Sequence, residues 1–383
     1  MYIEEIPKFP PSVVEIETAV PAFIGYTEKA TVLNNDDLRF VPKRISSLLE
    51  YEQIFGLSGD LTLFILHPSL QLYYDNGGGD CYIVSIGGYG NIQKTDFIKG
   101  LDEIKKNDEP TLLLFPDAVN LPGTDLYDVQ KTALKQAADL GYRFCILDIR
   151  SATTKNEHTA AVNEFRNNIG TDNLRHGAAY TPFLKTLTGN PVALPPSGAV
   201  AGCYCMVDNT RGVWKSPANI SLASINELFY TIDSNGQDEL SVDGTGKSIN
   251  AIRKFFGKGC LIWGGRTLMG NDNEWRYISV RRLFNTVEES VKRSTFWVVF
   301  ENNDAFTWGK VKVQIENYLV VKWREGALQG ARPDHAFFVK VGLNETMTQL
   351  DLLEGRMIIE IGMAAVRPAE FIILRVSHKI VVT

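Results

Sequence analysis

Little in this chain of 383 residues is arranged for chemistry. Cysteine is scarce: the five, Cys81, Cys145, Cys203, Cys205 and Cys260, are odd in number and irregularly spaced. A disulfide framework or a zinc site uses paired, regular spacings, so free thiols in a reducing compartment are expected. Basic excess is missing, with a formal net charge of -6, and a general nucleic-acid binder is excluded on that ground. No apolar run approaches the length of a membrane span, so no direct membrane insertion is expected. Met1-Tyr2-Ile3-Glu4-Glu5 is acidic where a secretory leader is basic and then apolar. The protein is therefore expected to be cytoplasmic when made. Internal repeats of 20–50 residues and low-complexity tracts are also lacking.

Catalytic signatures are just as thin. Gly244-Thr245-Gly246-Lys247-Ser248 resembles a phosphate loop, but Ser241 stands where the first glycine of that motif belongs. A polar loop ahead of a helix starting near Ser248 fits better. Gly87-Gly88-Tyr89-Gly90 follows a strand without dinucleotide-loop spacing, and a turn is expected there. The histidines His67, His158, His176, His335 and His378 show no metal-ligand spacing. Cys203-Tyr204-Cys205 reads as buried packing. Asp148 ends an apolar strand, where α/β enzymes often place an acid. Arg150, two residues on, suggests a structural ion pair. One enzyme alternative remains open: an α/β hydrolase or nucleotide-binding protein with a site near Asp148. No catalytic, cofactor or metal residue is assigned, and no cofactor is expected.

What is present is a globular composition, 44% hydrophobic and 22% charged, which excludes disorder over most of the length. The length suggests two or three domains. Residues 1–21 read as an arm, because Pro7, Pro10, Pro11 and Pro21 prevent a helix. Val14, Ile16 and Val20 make residues 14–20 a strand candidate within it. Residues 22–195 mix strands (22–26, 60–67, 70–74, 81–86, 111–115, 143–147) with helices (45–55, 95–106, 127–140, 157–168), which indicates an α/β domain. The strands at 70–74 and 81–86 would form a hairpin about the turn at 75–80.

Leu194-Pro195-Pro196-Ser197-Gly198 marks an expected boundary. All six tryptophans lie beyond it, from Trp214 to Trp323. Residues 196–370 read as an α+β domain with two long helices. Val280, Leu283, Phe284, Val287 and Val291 make an apolar stripe on the first, and Trp308, Val311, Ile315, Tyr318 and Leu319 on the second. Arg281, Arg282, Lys292 and Arg293 form a basic side on the first helix, a candidate contact for an acidic partner surface. Strands follow at 336–341, 356–363 and 370–376. Residues 371–383 alternate, with Ile372, Leu374, Val376 and Ile380 on one face, and read as a terminal strand open to pairing with another subunit.

An ordered set of segments runs through nearly the whole chain: Tyr2-Ile3-Glu4-Glu5-Ile6, Ala19-Val20-Pro21-Ala22-Phe23-Ile24-Gly25, Val41-Pro42-Lys43-Arg44-Ile45, Ala178-Ala179-Tyr180-Thr181-Pro182-Phe183 and Pro195-Pro196-Ser197-Gly198-Ala199-Val200-Ala201-Gly202. Arg211-Gly212-Val213-Trp214, Ile249-Asn250-Ala251-Ile252-Arg253, Trp263-Gly264-Gly265-Arg266-Thr267-Leu268, Glu274-Trp275-Arg276-Tyr277-Ile278, Glu288-Glu289-Ser290, Phe300-Glu301-Asn302-Asn303-Asp304 and Val366-Arg367-Pro368-Ala369-Glu370-Phe371 continue it. The set resembles the phage tail sheath family. The Pro-Gly-Val that usually precedes the first segment is absent, and Gly265 and Met269 stand where other small or polar residues are common.

The resemblance implies a structural protein, not an enzyme. It would polymerise helically with itself around an inner tube protein and contract, with baseplate and terminal cap proteins at the ends. It also implies an inner, tube-facing domain formed by residues 196–370 with both arms, and an outer domain formed by 22–195. Independently of the resemblance, the charge of the first long helix's basic side fits either an acidic tube surface or a solvated helix face. The compact single chain suits an extracellular injection system or a simple phage. The type VI sheath, divided between two chains, fits less well.

Overall fold

The computed structural model of the chain describes residues 12–34, 36–186 and 193–370. In chain order it comprises β1 (Pro21–Gly25), β2 (Lys43–Ile45), α1 (Leu48–Phe55), α2 (Leu66–Asp75), β3 (Cys81–Ser85), α3 (Lys94–Ile104) and β4 (Leu112–Leu114). Next come α4 (Asp125–Leu140), β5 (Phe144–Asp148), α5 (Lys155–Asn168), β6 (Gly177–Thr181), β7 (Leu184–Thr186), β8 (Ala193–Leu194) and α6 (Ser197–Arg211). Then follow β9 (Ile220–Ser221), β10 (Ile225–Leu228), α7 (Ser234–Ser241), β11 (Asn250–Phe255), β12 (Gly259–Ile262), α8 (Ile278–Ser294) and α9 (Ala305–Arg324). The last are α10 (Pro333–Ala336), β13 (Phe337–Lys340), α11 (Gln349–Leu353) and β14 (Glu360–Met363).

A nine-stranded sheet in the order β2-β3-β1-β4-β5-β6-β11-β12-β9 organises the molecule. From β3 to β11 every neighbouring pair is parallel. Parallel strands covered on both faces read as unbroken apolar runs, and all five residues of both β1 and β5 are buried. Helices α1, α2 and α6 cover one face. Helices α3, α4, α5 and α7 cover the other. The α2–α6 contact is close because α6 presents Gly198 and Gly202. A Cβ there would stand 2.3 Å from the carbonyl oxygens of Ser69 and Tyr73.

A separate third core joins α8 and α9 through Leu283, Val287, Val291, Val311, Ile315 and Leu319 and adds Val339 of β13. Leu283, Val287 and Val291 of the first expected stripe and Val311, Ile315, Tyr318 and Leu319 of the second lie in this core, whereas Val280, Phe284 and Trp308 do not. β13 and β14 form a two-stranded antiparallel sheet on this C-terminal unit.

Several expectations are corrected. Residues 60–67 and 70–74 are not strands. They form a turn and then α2, where Leu66, Ser69, Leu70 and Tyr73 are buried at helical spacing. Pro68 is tolerated there because it falls in the first turn. The expected 75–80 hairpin turn is therefore a helix-to-strand connection. Residues 14–20 are extended but form no strand. The 356–363 strand begins only at Glu360, and the chain enters β11 after Ser248, not a helix. The sheet passes through 195/196 without a break, since β11, β12 and β9 come after it. The cores divide near Ile278 instead. The 371–383 strand lies outside the described residues.

Candidate functional site

The parallel strands reverse their order between β1 and β4, and the crevice at such a switch point is where doubly wound folds bind ligands. Here a carboxylate fills it. Asp117, just after β4, is fully buried and accepts backbone N–H bonds from Tyr26 (2.8 Å), Ile65 (2.7 Å) and Leu66 (3.0 Å). It caps α2 from a distance, and a Cβ at Gly25 would lie 2.5 Å from its Oδ2. Burial pushes its carboxyl up to about 7, against the pull of the three amides. Asp148 does the same for α6. Its Oδ1 accepts from the Ser197 N–H at 2.9 Å, and burial pushes it up to about 7. The expected Asp148–Arg150 ion pair is not formed. Arg150 donates to the Leu121 and Gly123 carbonyls instead.

The remaining motifs are also absorbed by packing. Lys247 donates to the Arg166 carbonyl, in the last turn of α5. Arg166 returns a bond to the Lys247 carbonyl at 3.2 Å and pairs with Asp243. Tyr89 of the Gly-rich turn packs on Phe64 at 4.6 Å. Cys203 and Cys205 lie on α6, and all five thiols are free and buried. Among the described residues no cluster of His, Cys, Asp and Glu could hold a metal, and no helix is long and apolar enough to cross a membrane.

The feature that does stand out is the seam between the N-terminal arm and α8. Val14 and Ile16 donate their N–H groups to the Ser294 and Ser290 hydroxyls, at 2.9 and 3.0 Å. Two extended residues rise about 6.6 Å and four helical residues about 6 Å, so the arm and helix keep register as they run antiparallel. Lys322 of α9, nearly buried, reaches Glu15 at 2.5 Å. Arg282 donates to the Thr18 carbonyl at 3.0 Å and forks onto Asp208 of α6, whose carboxylate also accepts the Thr18 hydroxyl at 2.6 Å. Val20 is buried, and its N–H donates to Thr111 Oγ1 at 2.9 Å.

This arrangement corrects the expected basic face of α8. The helix is buried on both sides, between the C-terminal unit and the arm with the sheet unit. Arg281 and Arg282 are 4% and 3% exposed. Arg281 bonds Asn285 and lies over the Trp275 ring, 4.3 Å from its centroid. Arg293 pairs with Glu289 and donates to the Asp108 carbonyl. Only the Lys292 side chain, 72% exposed, stands mainly in solvent, and it too reaches Glu289. Glu288 pairs with Arg281 at 3.2 Å. Sequence reasoning missed Thr18, Asp208, Ser290 and Ser294, whose roles depend on partners far away in the chain.

A family model described as the phage tail sheath C-terminal domain matches residues 270–379, which include all of the third core's buried residues but Val213. The chain is similar over 99% of its length to a chain of the anti-feeding prophage helical sheath in the contracted state. Identity is 34%, coverage of that chain 98% and the TM-score 0.80. The chain belongs to the contractile tail sheath family. This sheath chain is likewise 32% identical to one in the contracted sheath complex of the extracellular injection system PVC, covering 97% of it at a TM-score of 0.80. The tail sheath protein of Enterobacteria phage T4 is 29% identical over 129 residues, 33% of this chain. That match spans only 19% of the phage protein's length. A sheath tail protein from Listeria innocua shares the fold alone, at 9% identity and a TM-score of 0.61.

Proposed function

We propose that this chain is the repeating, non-enzymatic unit of a contractile sheath. It is made in the cytoplasm and polymerises helically around an inner tube, between a baseplate and a terminal cap. It shortens to drive the tube through a target envelope. The observation that carries the reading is the near full-length likeness to sheath chains of two contracted injection particles. The physics agrees. A subunit that joins its copies through two different patches builds an open helix. Contraction released from a metastable extended state needs no nucleotide at the moment of firing.

The terminal segments are the proposed links. Two strands alone are marginal in water, and β13 and β14 have no further strand beside them among the described residues. Ile372, Leu374, Val376 and Ile380 would add a strand to such an edge on a neighbour. Val14, Ile16 and Val20 are engaged by their own subunit. The N-terminal link is therefore assigned to residues ahead of Ser12. Of the four basic residues expected to meet the tube, Lys292 and Arg293 keep exposure for it, Lys292 the more fully. The reading is tested by electron microscopy of the purified protein. Hollow tubes of contracted sheath are expected, and a monomer that stays dispersed at high concentration would sink it.

A further inference from the structure

Past β14 the main chain stays on the C-terminal unit as far as Val366, whose N–H donates to the Ala327 carbonyl at 3.1 Å. Four residues later it has crossed to the sheet unit. Glu370 accepts two bonds from Arg266, from Nε at 2.7 Å and from Nη2 at 2.6 Å, and a third from the Tyr277 hydroxyl at 3.2 Å. Two parallel bonds from a guanidinium fork to a carboxylate fix direction as well as distance. Arg266 is buried and is itself tied down. Its N–H donates to Asn250 Oδ1 at 2.9 Å, its carbonyl accepts from Asn250 Nδ2 at 2.8 Å, and Nη1 donates to the Ser241 carbonyl at 3.0 Å. Asn250 opens β11 and pairs with Tyr180 of β6 inside the large sheet.

We infer that Arg266 and Glu370 are positioning residues that set where the C-terminal segment leaves the subunit. Load placed on residues 371–383 by a neighbour then passes through the fork into β11. It does not reach the two-stranded sheet. The alternative path is weak for a mechanical reason. Between Met363 and Val366 the main chain is held by single bonds that a pull would break one after another, such as Gln329 N–H to the Ala364 carbonyl and Val366 N–H to the Ala327 carbonyl. The fork and its tyrosine resist together. Arg266 keeps carbonyl partners at Ser241 and Gly270 without Glu370, so the sheet unit can fold without the pair. The inference rests on the sheath reading above.

The test uses full-length protein and Glu370→Gln. In the monomer, hydrogen exchange of amides 364–367, 369 and 370 should rise about tenfold, the ratio for loss of a net contribution of about 1.4 kcal/mol. Protection of β11 and β12 should stay unchanged. Contracted tubes should form with the wild-type diameter and break under sonication into fragments shorter than wild type, because a charge-assisted fork is reduced to weaker neutral bonds. Variant tubes as shear-resistant as wild type would overturn the inference. So would lost protection in β11 or an unfolded variant, because the pair would then be core packing. Failure of the wild-type chain to form tubes is a separate result, and it would sink the sheath reading instead.

Discussion

Arg282 and Asp208 are both almost fully buried, with side chains 3% and 2% exposed. Removing one partner leaves an unpaired charge out of water, which costs far more than the intact pair contributes. Arg282→Met should therefore lower stability by about 3–5 kcal/mol in urea unfolding. Adding Asp208→Leu should recover most of that loss. Asp148 has a different signature. Its folded pKa, about 7, lies above the ordinary 3.8, so its protonated form favours the fold. That contribution is complete below pH 4 and is lost as pH rises through 7. Against wild type, Asp148→Asn should gain stability between pH 4 and 7, by up to about 4 kcal/mol, and level off above 7. A flat difference in pH-resolved melting would contradict this. Nothing in the local sequence separates Asp148 as a helix cap from Asp148 as a catalytic acid, because Ser197 is 49 residues away.

At the scale of elements, helices α3, α4, α5, α8 and α9 were legible because their apolar periodicity is strong and one face of each meets a core. Helix α2 was not. Pro68, the short Leu70-Gln71-Leu72 alternation and the two tyrosines after it read as strand, and its N-terminus is capped by Asp117 from far away in the chain. The second buried side of α8 was equally hidden. Arginine reads as solvent-facing until Asp208, Thr18 and Trp275 are seen beside it. Gly198 and Gly202 of α6 lie four apart and both meet α2 backbone, a contact visible only once α2 is known to be a helix. Main chain cannot step aside as a flexible side chain can. Gly198→Val should cost about 3 kcal/mol or more of stability, measured by thermal or urea unfolding.

For the whole molecule, composition and missing motifs pointed away from chemistry, and the ordered family segments supplied the role. The division into units was misplaced because Pro195-Pro196 marks a helix entry, not the end of a core. Lys292 supplies a test of the tube side. Lys292→Glu should weaken extended-sheath assembly on preformed tubes while contracted tubes still form, because a rim charge guides registration more than it adds affinity. Equal assembly on tubes would remove Lys292 from that role.

The central claim, that the subunits are woven together by their terminal strands, is tested most directly by helical reconstruction of contracted tubes at side-chain resolution. The expected result is residues 372–380 of one subunit paired as an added strand on the β13–β14 sheet of another. Residues 372–380 paired within their own subunit, with both edges of β13–β14 free of neighbouring chains, would contradict it.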